Sequence, residues 1–165
     1  MEELRGERVT LRPVVEADRE PLWRMRSEPE VARWWGPPED GWPGTEEDVI
    51  LLAIVLGGNV VGLVQFWEEP DDDARYADVD VFVTSALHDR GLGTEALTLL
   101  ADHLTRDRGH HRLTLATSPD NHRAIRVYER LGFRRIGIAE ASARDPGTGE
   151  WRDELLMERV VRPPG

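Results

Sequence analysis

The sequence predicts a mixed α+β fold: a single domain over residues 1–165, with a central sheet of about six or seven strands flanked by helices. Three observations lead there. At 165 residues the chain has the length of one ordinary domain. Its 39% hydrophobic and 32% charged residues suffice for a core and a solvated surface. Segments of period two and segments of helical period follow one another in mixed order, with no internal repeat and no low-complexity linker.

In Arg8–Pro13, Val9 and Leu11 alternate with Thr10 and Arg12, which predicts a first strand. Ala17–Arg26 reads as a helix opened by Asp18, and Pro29 ends or restarts it. Glu30–Trp35 continues helically, with Val31, Trp34 and Trp35 on one side. Val49–Leu56 is a buried strand or a helix end followed by a strand, and periodicity does not choose between them. Gly57-Gly58-Asn59 is a hairpin turn before the strand Val60–Trp67, and Glu68–Arg75 is an acidic turn. Ala77–Val83 places Val79, Val81 and Val83 on one face and Asp78, Asp80 and Phe82 on the other. Thr84–Arg90 is a loop. From Gly91 to about Asp107, Leu92, Ala96, Leu99, Leu100, His103 and Leu104 recur at helical spacing. After the short strand Arg112–Ala116, Ser118-Pro119-Asp120-Asn121 starts a helix carrying Ala124, Ile125, Val127, Tyr128 and Leu131, closed by Gly132. Phe133–Ala139 and Glu154–Val161 read as the last two strands. Gly36–Gly44 and Asp145–Gly149 are short loops within the domain.

Composition excludes several chemistries. The chain has no Cys and no Lys, so all 21 basic residues are Arg. Disulfides, Cys-ligated metal sites, a Cys nucleophile, Schiff-base chemistry and a P-loop lysine are therefore ruled out. A net charge of −11 argues against nucleic acid as a partner and suits a cationic one. The polar start Met1–Arg12 has no apolar segment of a secretory signal, and the longest apolar run, Val49–Leu56, is too short to cross a bilayer. A cytoplasmic protein with no membrane contact is the expectation. His103, His110 and His111 crowd a helix end, but adjacent His residues diverge and no carboxylate pattern completes a metal site.

Two stretches carry chemistry. In His88-Asp89-Arg90-Gly91-Leu92-Gly93-Thr94, two glycines let backbone approach a ligand just where a helix begins. Free N–H groups and the positive helix end make this an anion site suited to a pyrophosphate. Gly91-Leu92-Gly93-Thr94-Glu95-Ala96 also fits a dinucleotide fingerprint, but Thr84–Arg90 separates it from the preceding strand, and the next strand ends near Ala116 with no acidic residue placed for a ribose. The second stretch runs from Asn121 to Phe133. Asn121 and Tyr128 are two helical turns apart and share a face, where they line a polar channel or serve as an N-cap and a core residue.

A strand with acidic residues, a glycine turn opening a helix, a short strand and then N-x-x-A-x-x-x-Y-x-x-x-G-F form one layout. The chain resembles the GNAT superfamily of acyl-CoA N-acyltransferases over nearly its whole length, most specifically across Asp78–Gly137. Val9-Thr10-Leu11-Arg12-Pro13, Glu16-Ala17-Asp18, Trp34-Trp35-Gly36 and Arg123-Ala124-Ile125-Arg126 resemble the aminoglycoside 6′-N-acetyltransferase branch. Ribosomal-protein N-terminal acetyltransferases share much of this arm.

The resemblance implies a mostly antiparallel sheet, splayed beside the cofactor site by a bulge in Ala77–Val83 that lets pantetheine pair with the strand. It implies acetyl-CoA as cosubstrate and no metal. Its cofactor-binding residues would be Phe82, Val83, the turn His88, Asp89, Arg90, Gly91, Leu92, Gly93 and Thr94, and Asn121 and Ala124. His88 departs from the family's Gln or Arg, and Ala116 or Thr117 stands where the aminoglycoside branch has an Asp. Tyr128 would face the thioester sulfur as general acid, with a backbone N–H near Phe82 on the oxyanion. Asp80 would orient the amine or accept its proton, and Trp35, Asp78 and Asp80 would bind the acceptor. Without Cys, direct attack of the amine on the thioester is the shortest path. Acidic clusters at Glu68–Asp73 and Glu150–Glu154 favour a small cationic amine acceptor, and Trp35, Trp42 and Trp67 offer flat walls for it. A protein α-amine, a hydroxylamine and a non-catalytic acyl-CoA-binding module are the alternatives. Monomer and homodimer both remain open.

Overall fold

The computed structural model describes residues 1–44, 46–145 and 147–163. Its strands are β1 (Leu4–Arg5), β2 (Val9–Pro13), β3 (Val49–Leu56), β4 (Asn59–Glu68), β5 (Ala77–Val83), β6 (Arg112–Thr117), β7 (Arg134–Arg144) and β8 (Trp151–Val160). Its α-helices are α1 (Arg19–Ser27), α2 (Pro29–Trp35), α3 (Leu92–Asp102) and α4 (His122–Arg130). The strands form one sheet in the order β1-β2-β3-β4-β5-β6-β8-β7, and β5–β6 is its one parallel pair. The eighth strand is β1, a two-residue pairing too short to leave a period in the sequence. Val49–Leu56 is all strand. Gly57 and Gly58 (φ 56° and 82°) turn it back so that Leu56 meets Asn59, a geometry that needs positive φ at both turn positions.

The alternation on β5 sorts the two cores. Val79 and Val83 join α3 and α4 residues such as Leu97, Leu100 and Ile125 on one face of the sheet. Phe82 joins Leu22 of α1, Val31 of α2, Trp42 and Leu63 on the other. Helix α4 is capped by the Asn121 side chain, which accepts from the Ala124 N–H at 3.4 Å. It ends where Gly132 turns to φ 89° and the Phe133 N–H reaches back to the Tyr128 carbonyl.

Two expectations need correction. The α-helix after the glycine turn stops at Asp102, and a wider π turn continues over His103–Asp107. The register shift is not in β5, which pairs with β4 without interruption. It lies in β4, where Val61 is the extra residue between the Ile54–Gly62 and Val55–Val60 pairs. Gly62 makes this possible: a Cβ there would stand 2.2 Å from the Phe82 carbonyl oxygen. The splay itself comes from the other side of β5. β6 pairs with β5 only at Ala77–Leu113 and Asp78–Thr114 and then diverges.

Candidate active site

The divergence of β5 from β6 opens a cleft of about 1080 Å³. The gap lets residues from opposite faces of the sheet meet in it. Asp80 belongs to the α1/α2 face and Tyr128 to the α3/α4 core, and both line the cleft.

One end of the cleft is the turn before α3. His88 is extended, Asp89 takes φ 62° and Gly91 φ 76°, so the chain arrives at α3 in a left-handed step. The first helical bond runs from the Glu95 N–H to the Gly91 carbonyl at 3.0 Å. The N–H groups of Leu92, Gly93 and Thr94 precede it and have no acceptor within the helix. His88, Asp89, Gly91, Leu92, Gly93 and Thr94 line the cleft, and Arg90 does not. The Arg90 carbonyl instead accepts from the Arg8 guanidinium at 2.7 Å. The His88 imidazole is a structural clasp: Nδ1 accepts from Arg123, and Nε2 donates to the Val83 carbonyl at 2.8 Å. Glu95 fixes the turn from behind, accepting from the backbone N–H groups of Arg8 and Val9 and from the Arg8 side chain.

The exposed edge of β5 comes next. The Thr84 N–H bonds Val61 and the Glu69 N–H bonds Tyr76, and these two contacts set the phase of the β4–β5 ladder. Alternation then turns the Phe82 amide toward β4 and the amides of Val81 and Val83 toward the gap. The N–H groups near Phe82 that face the gap are therefore those of Val81 and Val83. The Val81 N–H donates to the Asp80 carboxylate at 2.8 Å, and the Val81 carbonyl accepts from the Trp35 indole at 3.3 Å. Phe82 itself packs edge-on beneath Trp35 at 4.9 Å.

Burial pushes the Asp80 carboxyl up to about 7, helped by Asp78 and opposed by the Val81 N–H and Arg26. Burial also raises the Tyr128 phenol well above its ordinary value, with the Asp80 and Asp78 carboxylates adding to the effect. Tyr128 is only 4% exposed, and its hydroxyl has no protein partner among the described residues. Asn121 and Ala124 line the cleft beside it.

The other end holds Trp35, Trp42, Arg26 and Glu39, faced by the β7–β8 hairpin with Asp153 and Glu154. Asp145 ties that hairpin together by accepting from the Gly147 and Thr148 N–H groups and from Arg152. Pro146, inside the predicted Asp145–Gly149 loop, lies outside the described residues.

Several sequence candidates fall elsewhere. Asp78 lies two residues before Asp80 and does not line the cleft; it accepts from Thr114 at 2.7 Å, and burial raises its pKa. Trp67 packs on Tyr76 outside the cleft. Glu68 binds Arg108 and His110 at the far end of the sheet, and Glu69 and Asp71–Asp73 also lie off the cleft. His110 is 2% exposed and held by Glu68, and His103 bonds Asp107. Among the described residues no group of three or more His, Asp or Glu is placed to hold a metal ion. No described helix is long and apolar enough to cross a membrane. Arg26 and Glu39 were missed, because no spacing rule links an Arg on α1 to a loop ten residues later.

A family profile described as "Acetyltransferase (GNAT) domain" matches residues 8–134. An aminoglycoside N(6′)-acetyltransferase type 1 of Klebsiella pneumoniae is 28% identical over 152 residues, covering 78% of this chain and 75% of that protein. A mycothiol acetyltransferase of Pseudarthrobacter chlorophenolicus is 33% identical over 144 residues, and the match spans 78% of this chain but 43% of that longer protein. Among solved structures, aminoglycoside acetyltransferase AAC(6′)-Ib in complex with coenzyme A superposes with a TM-score of 0.75 at 25% identity, covering 92% of this chain and 94% of that one. RimJ of Mycobacterium smegmatis in complex with CoA-disulfide superposes with a TM-score of 0.80 at 24% identity, covering 93% and 82%.

Proposed function

The chain belongs to the GNAT acetyltransferase family and is an N-acetyltransferase, and from that premise we propose that it moves the acetyl group of acetyl-CoA to a primary amine of a small polycationic, aminoglycoside-like acceptor. One observation carries the reading. A carboxyl that burial raises toward neutrality, Asp80, and a protonated phenol, Tyr128, line one cleft that begins at the glycine turn opening α3.

The glycine turn holds the pyrophosphate on the N–H groups leading into α3, and the gap-facing Val83 amide of β5 bonds pantetheine, the Val81 amide being held by Asp80. An alkyl ammonium titrates near 10, so only about a thousandth is free base at neutral pH. Asp80 accepts the ammonium proton as the nitrogen closes on the thioester carbonyl. The C–N bond forms, the C–S bond breaks, and the departing thiolate takes its proton from Tyr128. A thiol near 8.5 and a phenol near 10 make that last transfer uphill by roughly 1.5 units, about 2 kcal/mol in water. Burial raises both partners, so it does not simply widen the gap. The two proton steps also help each other. The charge on Asp80 raises the Tyr128 pKa, and that opposition disappears once Asp80 has taken the amine proton. As the amide forms its nitrogen sheds a second proton to solvent, and Asp80 passes its own proton to Tyr128 through solvent, so each turnover converts ammonium and thioester into amide, thiol and one released proton.

The acceptor end supports a cation. Asp80, Asp153 and Glu154 line it; of the arginines on the same cleft, Arg26 and Arg152 are engaged by Glu39 and Asp145, Arg33 lies over Trp34 and Arg144 over Trp151, while Arg123, Arg126 and Arg130 also line it. Glu154 comes from the acidic stretch singled out in the sequence and is bonded by Ser142 at 2.9 Å. Carboxylates steer polycations over about 8–10 Å at physiological salt. The test is kcat/KM for a matched series of amines at two ionic strengths. Dicationic and polycationic amines should lead, and their advantage should shrink as salt rises. Equal rates across the series, or faster turnover of an acidic peptide amine, would overturn the polycation reading and point to a protein α-amine.

A further inference from the structure

We propose that Arg26 is a positioning residue for the acetyl transfer: it holds the Trp35–Trp42 wall of the acceptor pocket against β5 and places a positive charge in the cleft that Asp80 lines. The second half of this inference rests on the reading of Asp80 as the proton acceptor.

The Arg26 side chain is 11% exposed. Burying a guanidinium is costly unless its donors are used, and packing alone would be served better by an apolar side chain. Its donors are spent on one segment. Nε donates to the Gly36 carbonyl at 3.1 Å, and Nη2 donates to the Trp35 carbonyl at 3.3 Å and to Glu39 at 3.4 Å. The guanidinium also lies over the Trp42 ring at 4.7 Å and the Trp35 ring at 5.8 Å. One cation on α1 thus joins the end of α2 to the loop carrying Trp42. Trp35 passes the constraint to β5 through its indole bond to the Val81 carbonyl, next to Asp80. No protein partner is found for Nη1 among the described residues, although the side chain lines the same cleft as Asp80.

The charged and polar groups around Asp80 come from five elements. Asp78 on β5 is negative, Arg26 on α1 is positive, and Tyr128 on α4 is neutral. Glu154 on β8 acts on Asp78 from further away. Gln65 is its neutral cross-strand partner on β4. Arg26 is thus the cation of this set, and it favours the ionised carboxylate. An Arg removes two things at once when replaced: the fork that shapes the wall and the charge that favours the base. The two are separable, because Lys keeps the charge without the fork.

The experiment compares Arg26→Met, Arg26→Lys and Asp80→Asn. The readouts are the acid limb of the kcat/KM pH profile, KM for a diamine and the calorimetric Kd for acetyl-CoA. Arg26→Met should move the acid limb to higher pH by about 0.5–1 unit, since a lost cation no longer favours the carboxylate. It should also raise the diamine KM about tenfold and leave the acetyl-CoA Kd within about twofold. Arg26→Lys should raise KM but keep the limb at its original pH. An unmoved limb in Arg26→Met, with activity merely lower, would reduce Arg26 to packing and overturn the inference. If Arg26→Met does not fold, Arg26→Lys decides: a displaced limb or an unchanged KM overturns it. Asp80→Asn separates the two readings. A limb that survives in Asp80→Asn sinks the role of Asp80, whereas a limb lost there and unmoved in Arg26→Met sinks only that of Arg26.

Discussion

Replacing Asp80 by Asn should make the protein more stable and less active at the same time. The carboxyl is pushed from an ordinary 3.8 up to about 7 in the folded chain, chiefly by burial. The folded state therefore holds this proton more tightly than the unfolded chain does, and stability must fall as pH rises from about 4 to about 7. At about 1.36 kcal/mol for each unit, three units set an upper limit of about 4 kcal/mol on the cost of keeping Asp80 ionised above neutrality. The side chain is partly exposed, and water reaching it brings the expected cost to about 2 kcal/mol. Asn keeps the shape without the charge. Urea unfolding at pH 8 should then show Asp80→Asn more stable by about 2 kcal/mol, and the margin should narrow at pH 5, where the native Asp80 is already protonated. In the same samples kcat should fall by about 10²–10⁴-fold, the usual range for a lost general base. Equal stabilities at pH 8, or a margin that does not change with pH, would refute the argument that burial strains this carboxylate.

Tyr128→Phe keeps the buried ring and removes the proton, so kcat should fall about 10²-fold while acetyl-CoA affinity changes little; normal turnover with a poor-leaving thioester would make Tyr128 a packing residue. Gly91→Val and Gly93→Val should each weaken coenzyme A at least about tenfold in calorimetric titration if the turn holds the pyrophosphate. The two differ in stability: Gly91 sits at φ 76°, where a side chain costs about 1–2 kcal/mol, whereas a Cβ on Gly93 meets only Val83 at 3.5 Å. Glu68, held down to about 2 by Arg108 and His110, stabilises the fold above the ordinary carboxylate range and loses that contribution as pH falls toward 2. Glu68→Gln should therefore cost about 2 kcal/mol at pH 7 and about nothing near pH 2, as read by thermal unfolding across that range.

The parts of the site that were legible in the sequence are those fixed by local rules. Alternation on β5 put Asp80 and Phe82 on the face opposite Val79 and Val83, and the two cores follow that division. Asn121, as the N-cap of α4, and Tyr128, seven residues on, both line the cleft. What stayed hidden depends on contacts between distant segments. The burial of His110 is set by Glu68, 42 positions earlier. Arg26 stands in a helix that looks solvated until Trp42 folds over it. Trp67 looked like a pocket wall because an aromatic side chain carries no mark of which side of the sheet edge it will occupy, and Tyr76 claims it. The bulge belongs to β4 because the glycine that tolerates it, Gly62, is there.

The seam between β5 and β6 has a mechanical meaning. Two residue pairs, Ala77–Leu113 and Asp78–Thr114, are the whole ladder between the first five strands of the sheet and the last three. Apart from the two-residue edge pairing of β1 with β2, the ladders within each group are longer, so the seam is where the interior of the sheet bends most easily. It also lies at one end of the gap, which gives it leverage. From Asp78 to Val83 the strand runs about 17 Å at about 3.3 Å per residue. A rotation of about 5° at the seam then shifts the far end of β5 by about 1.5 Å relative to β8, half the length of a hydrogen bond, without parting any other strands. Any molecule that spans the gap near Val83 becomes a strut holding the two leaves at one angle, and the reach between Tyr128 on one leaf and Asp80 on the other is set by that angle.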